Sequence, residues 1–259
     1  MKPRRRAARA ARASGAPFLH RVESLPEKID HTRYPFNILA FSRGIDLEFR
    51  SKVTFFVGEN GSGKSTLLEA LAECCGFNPE GGNRDHHRAT FADRSPLAQA
   101  LRLSWRPKVT EGFFMRAESF FNFATYIETV SDLRAYGGKS LHEQSHGESF
   151  ISLFANRFEQ GVYILDEPEA ALSPQRQLSF LRIIHDLATP GHAQFLIATH
   201  SPIILSYPDA VLFDLDGDTI REISYRETKH FLITRDFLNA PERFFKHLFG
   251  TVDEGGSDA

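Results

Sequence analysis

The sequence predicts an α/β fold built around a mostly parallel sheet. Residues 53–57, 162–165 and 195–198 are short runs of apolar, β-branched and aromatic residues without polar alternation, as expected of strands buried on both faces. Helical patterns follow the first two runs, and turn-rich stretches punctuate the chain. Strands that alternate with helices require crossover connections, which favour parallel pairing.

The elements follow in order. Residues 1–17 read as a disordered basic tail, because Lys2, Arg4, Arg5, Arg6, Arg9 and Arg12 stand there without an acid. The composition also fits an organellar presequence, but there is no apolar stretch for a secretory signal. The strand at 53–57 stops at Gly58. A helix over 64–75 places Leu67, Leu68, Leu71 and Cys75 on one face, with Gly76 to close it. Residues 78–96 form a loop. Residues 113–115 form a strand, 119–129 a helix, and Tyr136, Gly137 and Gly138 a break. Residues 147–158 carry Phe150, Ile151, Phe154 and Phe158 at helical spacing. After the strand at 162–165, Ser173 and Pro174 signal a helix N-terminus. That helix extends to 188 with Leu178, Leu181, Ile184 and Leu187 inward. Asp216 and Gly217 predict a tight hairpin between strands at 211–215 and 219–225, and 241–249 forms a last short helix. These elements assemble into one domain over 18–250, with a helical subregion at 97–158 and an acidic flexible tail at 251–259.

Composition excludes several classes. The chain has 259 residues, 41% hydrophobic, enough for a sizeable core. No run of eighteen apolar residues exists, so direct membrane insertion is not expected. Cys74 and Cys75 are the only cysteines, which argues against a disulfide-built secreted domain and for a reducing compartment, the cytoplasm. The net charge is −2 and the basic tail conceals a more acidic body, so a surface built to coat nucleic acid is not expected, although a local patch is compatible.

Three constellations carry chemistry. Gly58-Glu59-Asn60-Gly61-Ser62-Gly63-Lys64-Ser65-Thr66 fits G-x-x-x-x-G-K-[ST], between a strand and a helix. Glycines let successive N–H groups turn inward, and the helix N-terminus adds partial positive charge. Asn60 to Thr66 therefore cradle phosphates, Lys64 reaches the outer ones, and Ser65 places a hydroxyl on Mg²⁺. Asp166 and Glu167 follow a buried strand, at the end of the sheet where ligands sit. Asp166 is the candidate metal ligand and Glu167 the base that polarises water. His200 ends the next buried strand, where an imidazole can bond the γ-phosphate and hold the water or Glu167. Asp85-His86-His87 is a solvated loop rather than a metal site, and no nucleophile elbow or guanine-recognition motif occurs.

In their order, these motifs resemble those of the ATP-binding-cassette superfamily. The phosphate loop, Gln144-Ser145-His146-Gly147-Glu148, the strand ending Asp-Glu-Pro, Ala171-Leu172-Ser173 and the strand ending Thr-His-Ser carry the resemblance over about 34–225. The wording is most similar to the small branch related to RecF, SMC and OLD-type ATPases. The resemblance implies a P-loop fold of ABC type with a small antiparallel β part and ATP hydrolysis with Mg²⁺. It also implies a head-to-tail, ATP-dependent homodimer in which Ser145, Gly147 and Glu148, at the signature position, contact the γ-phosphate held by the partner. His146 and Glu148 depart from the usual signature, Ser173 stands where aspartate is usual, and Arg116 follows the strand after which the Q-loop glutamine is expected. Tyr34, Phe36 and Phe41 are all candidates to stack on adenine. The interval from Thr66 to Ser145 is too short for long coiled-coil arms. The cycle would drive an unidentified protein partner, with DNA repair or phage defence suggested by the branch. The alternatives are a slow nucleotide-gated switch and a transporter ATPase subunit.

Overall fold

A computed structural model of the chain describes residues 17–78, 95–116 and 160–250. The helices expected at 119–129 and 147–158, the Tyr136–Gly138 break, Asp85-His86-His87, Ser145, Gly147, Glu148 and both tails lie outside these residues.

The central sheet holds β3 (Val53–Val57), β5 (Gly112–Arg116), β6 (Gly161–Asp166), β7 (Ala193–Ala198), β8 (Val211–Asp214) and β9 (Arg221–Ile223). Their order is β5-β6-β7-β3-β8-β9, all parallel except β9, which pairs antiparallel with β8. Both faces are covered, which explains the unbroken apolar runs. On one face Phe56, Phe114, Ile164 and Leu196 pack with helix α1 (Lys64–Cys75). On the other, Phe55, Val57, Leu165 and Ile197 pack with α3 (Pro174–Ala188). A short α2 (Pro96–Ala100), capped by Ser95, begins at the end of the expected 78–96 loop and continues to β4 (Leu101–Trp105).

A second, antiparallel sheet has the order β2-β1-β4, from β1 (Leu19–Ser24), β2 (Asp46–Glu48) and β4 (Leu101–Trp105). Buried Gln194 of β7 ties the two sheets together. Its Oε1 accepts from Leu19 N at 2.8 Å, and its Nε2 donates to Leu19 O at 2.9 Å. Gln194→Leu strands both backbone groups in an apolar setting, so we expect a loss on the order of 2–4 kcal/mol in a urea melt. A loss near zero would mean that this junction is not where the two sheets are held.

Three expectations change. Helix α3 is rotated from its predicted face: Gln177, Phe180, Ile184 and Ala188 are buried, Leu181 and Leu187 pack at the margin, and Leu178 is 52% exposed. The cause is Gln177, drawn inward by Leu172 O and Ser201 Oγ, a polar anchor that a search for apolar stripes overlooks. The hairpin is not a two-residue turn, because Asp214 pairs with Arg221 and 215–220 form a longer connection. Finally, beyond the short α4 (Pro202–Leu205), helix α5 (Lys229–Asn239) precedes α6 (Pro241–Phe249). Its apolar positions form no buried stripe, with Ile233 and Leu238 well exposed, so periodicity gave no signal. Only Thr228, which caps Phe231 N, marked its start.

Candidate functional site

The phosphate loop links β3 to α1 at the carboxyl edge of the sheet. Its glycines are required sterically: at Gly58 an added Cβ would lie 2.6 Å from Ser62 Oγ, and at Gly63, left-handed with φ near 101°, one would lie 2.9 Å from Phe41. Lys64 is buried, and its Nζ donates to Gly58 O at 2.7 Å and Glu59 O at 3.1 Å. Burial pulls its ammonium below the usual lysine range, while Glu167, Asp166, Asp216 and Glu59 oppose this.

Strand β6, next but one to β3, brings Asp166 across to this loop. Ser65 Oγ donates to Asp166 Oδ1 at 3.2 Å, although the two residues are a hundred positions apart. Burial pushes the Asp166 carboxyl up to about 6, against the pull of Ser65 and the Arg116 guanidinium. A desolvated carboxylate beside a hydroxyl fits a hard dication, whose charge would offset the cost of burial. Among the described residues no group of three or more His, Cys, Asp or Glu is placed to hold a metal alone, so phosphate oxygens and water would have to complete the coordination. Glu167 adopts left-handed φ of 51°, a strained setting for a non-glycine residue, and its half-exposed carboxylate lines the cavity over the phosphate loop. His200 Nε2 lies 3.4 Å from Glu167 Oε1.

An open cavity of about 240 Å³ lies over the phosphate loop, lined by Tyr34, Ile38, Asn60, Gly61, Gly63, Lys64, Ser65, Thr66 and Glu167. Among the three aromatic candidates, Phe36 and Phe41 are buried in the core, whereas Tyr34 is 67% exposed and bonds Thr66 Oγ1 at 3.0 Å. The cavity therefore contains Tyr34 alone of the three. Ser62 Oγ, in the same loop, has no partner among the described residues.

Several residues at the site were not singled out from the sequence. Asp216 Oδ1 accepts from Glu59 N at 2.6 Å, and its Oδ2 meets Lys229 Nζ at 2.9 Å. This explains the long hairpin connection: the carboxylate is used to brace the phosphate loop. Burial alone would raise that carboxyl, yet Lys229 and the Glu59 N–H hold it below the usual range. Arg116, beside Asp166 in the β5–β6 register, pairs with Glu69 at 2.5 Å and approaches Asp166 at 3.7 Å. Glu169 accepts from His200 N at 2.6 Å and is pushed up by burial. His230 Nε2 stands 2.7 Å from His200 Nδ1. The sequence named Asp216 only as part of a turn signal and Arg116 only as the residue after a strand, and it carried no signal for Glu169, Lys229 or His230.

The chain is similar to several known families and proteins. A family model described as an AAA domain matches residues 36–136. A second, described as an AAA domain, putative AbiEii toxin, Type IV TA system, matches residues 143–206. The hemin import ATP-binding protein HmuV of Pseudomonas aeruginosa is 28% identical over 198 residues, 67% of this chain and 77% of its own length. The ribose import ATP-binding protein RbsA of Hahella chejuensis is 24% identical over 247 residues, 83% of this chain, which spans about half (48%) of that relative. Among solved structures, CbiO1 of Clostridium perfringens, part of the ABC transporter complex CbiONQ, aligns at TM-score 0.48 and 17% identity over 89% of this chain and 99% of its own. The SMC head domain of Thermotoga maritima aligns at TM-score 0.46 and 15% identity over 80% and 98%.

Proposed function

We propose that this chain is an ABC-type P-loop ATPase that hydrolyses MgATP at the seam of a head-to-tail homodimer, driving the action of a separate protein partner. The observation that supports the site is the Ser65–Asp166 contact, which joins the phosphate-binding loop to the carboxylate pair. Asn60 to Thr66 bind the phosphates through backbone N–H groups, and Lys64 Nζ exchanges its loop carbonyls for phosphate oxygens. Ser65 and Asp166 would hold Mg²⁺, which supplies charge neutralisation across the outer phosphates. Glu167 accepts the proton of the attacking water while the bond from the terminal phosphorus to the bridging oxygen breaks and ADP leaves. His200 donates from Nε2 to the terminal phosphate and faces Glu167.

The dimer reading rests on the signature-position residues Ser145, Gly147 and Glu148. Wild-type protein with MgATP should therefore turn over nucleotide, and dimer content by sedimentation should rise with nucleotide. Tight MgATP binding by a strict monomer would overturn the seam. Protein that neither binds nor hydrolyses MgATP would overturn the whole reading.

Tyr34 is the residue assigned to the adenine face. Base–aromatic stacking is worth ~1–3 kcal/mol, so Tyr34→Ala should weaken ATP binding roughly tenfold or more by calorimetry. Inorganic triphosphate should bind the variant as it binds wild type. Equal losses for both ligands would instead assign Tyr34 to the Thr66 contact.

One observation favours a slower cycle. Arg116, paired with Glu69, also approaches Asp166 at 3.7 Å, so its positive charge stands beside the carboxylate where the metal is expected. Steady-state turnover far below ~1 s⁻¹ with tight MgATP binding would assign the protein as a nucleotide-gated switch. No helix among the described residues is long and apolar enough to cross a membrane. Co-purification with an integral membrane protein would assign the partner to transport, as the names of the import relatives suggest for those proteins.

A further inference from the structure

We propose that His230, at the start of helix α5, is a positioning residue that fixes which ring nitrogen of His200 carries the proton, and so keeps a donor facing the terminal phosphate. The proposal rests on the assignment of His200 to that phosphate.

Two imidazole nitrogens 2.7 Å apart, His200 Nδ1 and His230 Nε2, need one proton between them. When His230 donates it, His200 Nδ1 serves as the acceptor and the His200 proton must sit on Nε2. Nε2 is the atom 3.4 Å from Glu167. The two outer nitrogens, His200 Nε2 and His230 Nδ1, are both buried without a hydrogen-bond partner among the described residues, and of the two it is Nε2 that stands beside Glu167, where a phosphate acceptor would arrive. Without His230, a neutral His200 is free to carry its proton on Nδ1, leaving a lone pair aimed at phosphate, which repels it.

The surroundings hold His230 in place. Thr228, buried, caps Phe231 N and donates to Tyr225 O at 2.8 Å. Tyr225 Oη donates to Pro202 O at 3.0 Å, anchoring this end of α5 to the segment after His200. Lys229 stands at the helix N-terminus, against the macrodipole, because Asp216 and Glu59 receive it at 2.9 and 3.7 Å. The two adjacent residues Lys229 and His230 thus reach the phosphate loop and the strand-end histidine respectively. The imidazole rings meet edge to face at 4.8 Å.

The pair also has a defined acid limit. It can share one proton or carry one extra, but two further protonations would set N–H against N–H across the same 2.7 Å. The groups facing His230 are His200 from the end of β7, Lys64 and Glu59 from the phosphate loop, Asp216 from the β8–β9 connection and Lys229 beside it. Burial, then His200 and Lys64, hold the His230 imidazole below the usual histidine range, with Glu59 and Asp216 opposing. The pair therefore stays intact at neutral pH and breaks only on acidification.

The test compares His200→Ala, His230→Phe and His230→Gln. Phe keeps the ring without the donor, and Gln offers an amide N–H at a similar reach. His230→Phe should lower kcat about tenfold with KM and MgATP affinity unchanged, and His230→Gln should recover to within about threefold. Nitrogen-15 spectra of wild type at pH 7.5 should show the His200 proton on Nε2. Wild-type kcat in His230→Phe beside a drop in His200→Ala would overturn the proposal while leaving the His200 reading intact. Wild-type kcat in His200→Ala would overturn that reading, and this one with it. Should His230→Phe fail to fold, a His200 proton on Nδ1 in the wild-type spectra overturns the proposal.

Discussion

Glu167→Gln should lose about 10²- to 10⁴-fold in turnover while binding MgATP as tightly as wild type. The amide keeps the size of the carboxylate and removes its ability to accept a proton from water. Glu167 is suited to this swap because it makes no structural hydrogen bond through its side chain in the described contacts, only the 3.4 Å approach of His200 Nε2. Its left-handed φ of 51° is a backbone property, which Gln tolerates no worse than Glu. With hydrolysis blocked, the bound triphosphate should hold two copies together, so size-exclusion chromatography in MgATP should show a dimer that wild type populates only in passing. A variant that hydrolyses ATP at the wild-type rate would remove Glu167 from the chemistry. One that is inactive yet monomeric would retain the base and reject the seam.

Asp166→Asn should separate the metal's contribution from that of the fold. We expect Mg²⁺-dependent turnover to fall by ~100-fold or more, since a neutral amide is a poor ligand for a hard dication. Stability should move the other way. The Asp166 carboxyl ordinarily titrates near 3.8 and is pushed up to about 6 when folded. A raised carboxyl pKa means that the protonated form is the favoured one in the fold. Its contribution is complete below about 3.8 and is lost as pH rises through about 6. At pH 8 without metal, wild type thus carries an ionised, buried carboxylate at a cost of up to ~3 kcal/mol. Asn removes that cost, so the variant should melt higher than wild type at pH 8 and lose the difference toward pH 4. Mg²⁺ binding to wild type should tighten as pH rises through the same window, because the ion displaces a proton. Parallel melting curves for the two proteins at every pH would show that Asp166 is not desolvated as described.

The phosphate loop was legible in the sequence because its geometry is local. Gly58, Gly61 and Gly63 take positive φ, Lys64 opens a helix, and a strand precedes them, all within a few residues of one another. The buried strands at 161–166 and 193–198 were legible for a related reason: sheets covered on both sides leave no polar alternation. Helix α3 was placed correctly, but its face was not, because the deciding contact is Gln177 with Ser201, a polar pair between distant elements. The adenine-facing aromatic could not be chosen from sequence either. Tyr34, Phe36 and Phe41 are equally aromatic, and only packing buries two of them and leaves Tyr34 at the cavity.

By itself, the sequence determined the loop that binds phosphate, the acidic pair at a strand end and the parallel character of the sheet, since each follows from short-range backbone and burial rules. Tertiary structure alone decided that Ser65 meets Asp166, that Asp216 and Lys229 brace the loop, that Arg116 approaches the acidic pair, and that His230 stands against His200. These contacts join residues from about 30 to more than 150 positions apart. No local propensity encodes such pairings. They arise when the strand order β5-β6-β7-β3-β8 stacks the carboxyl ends of separate strands along one edge.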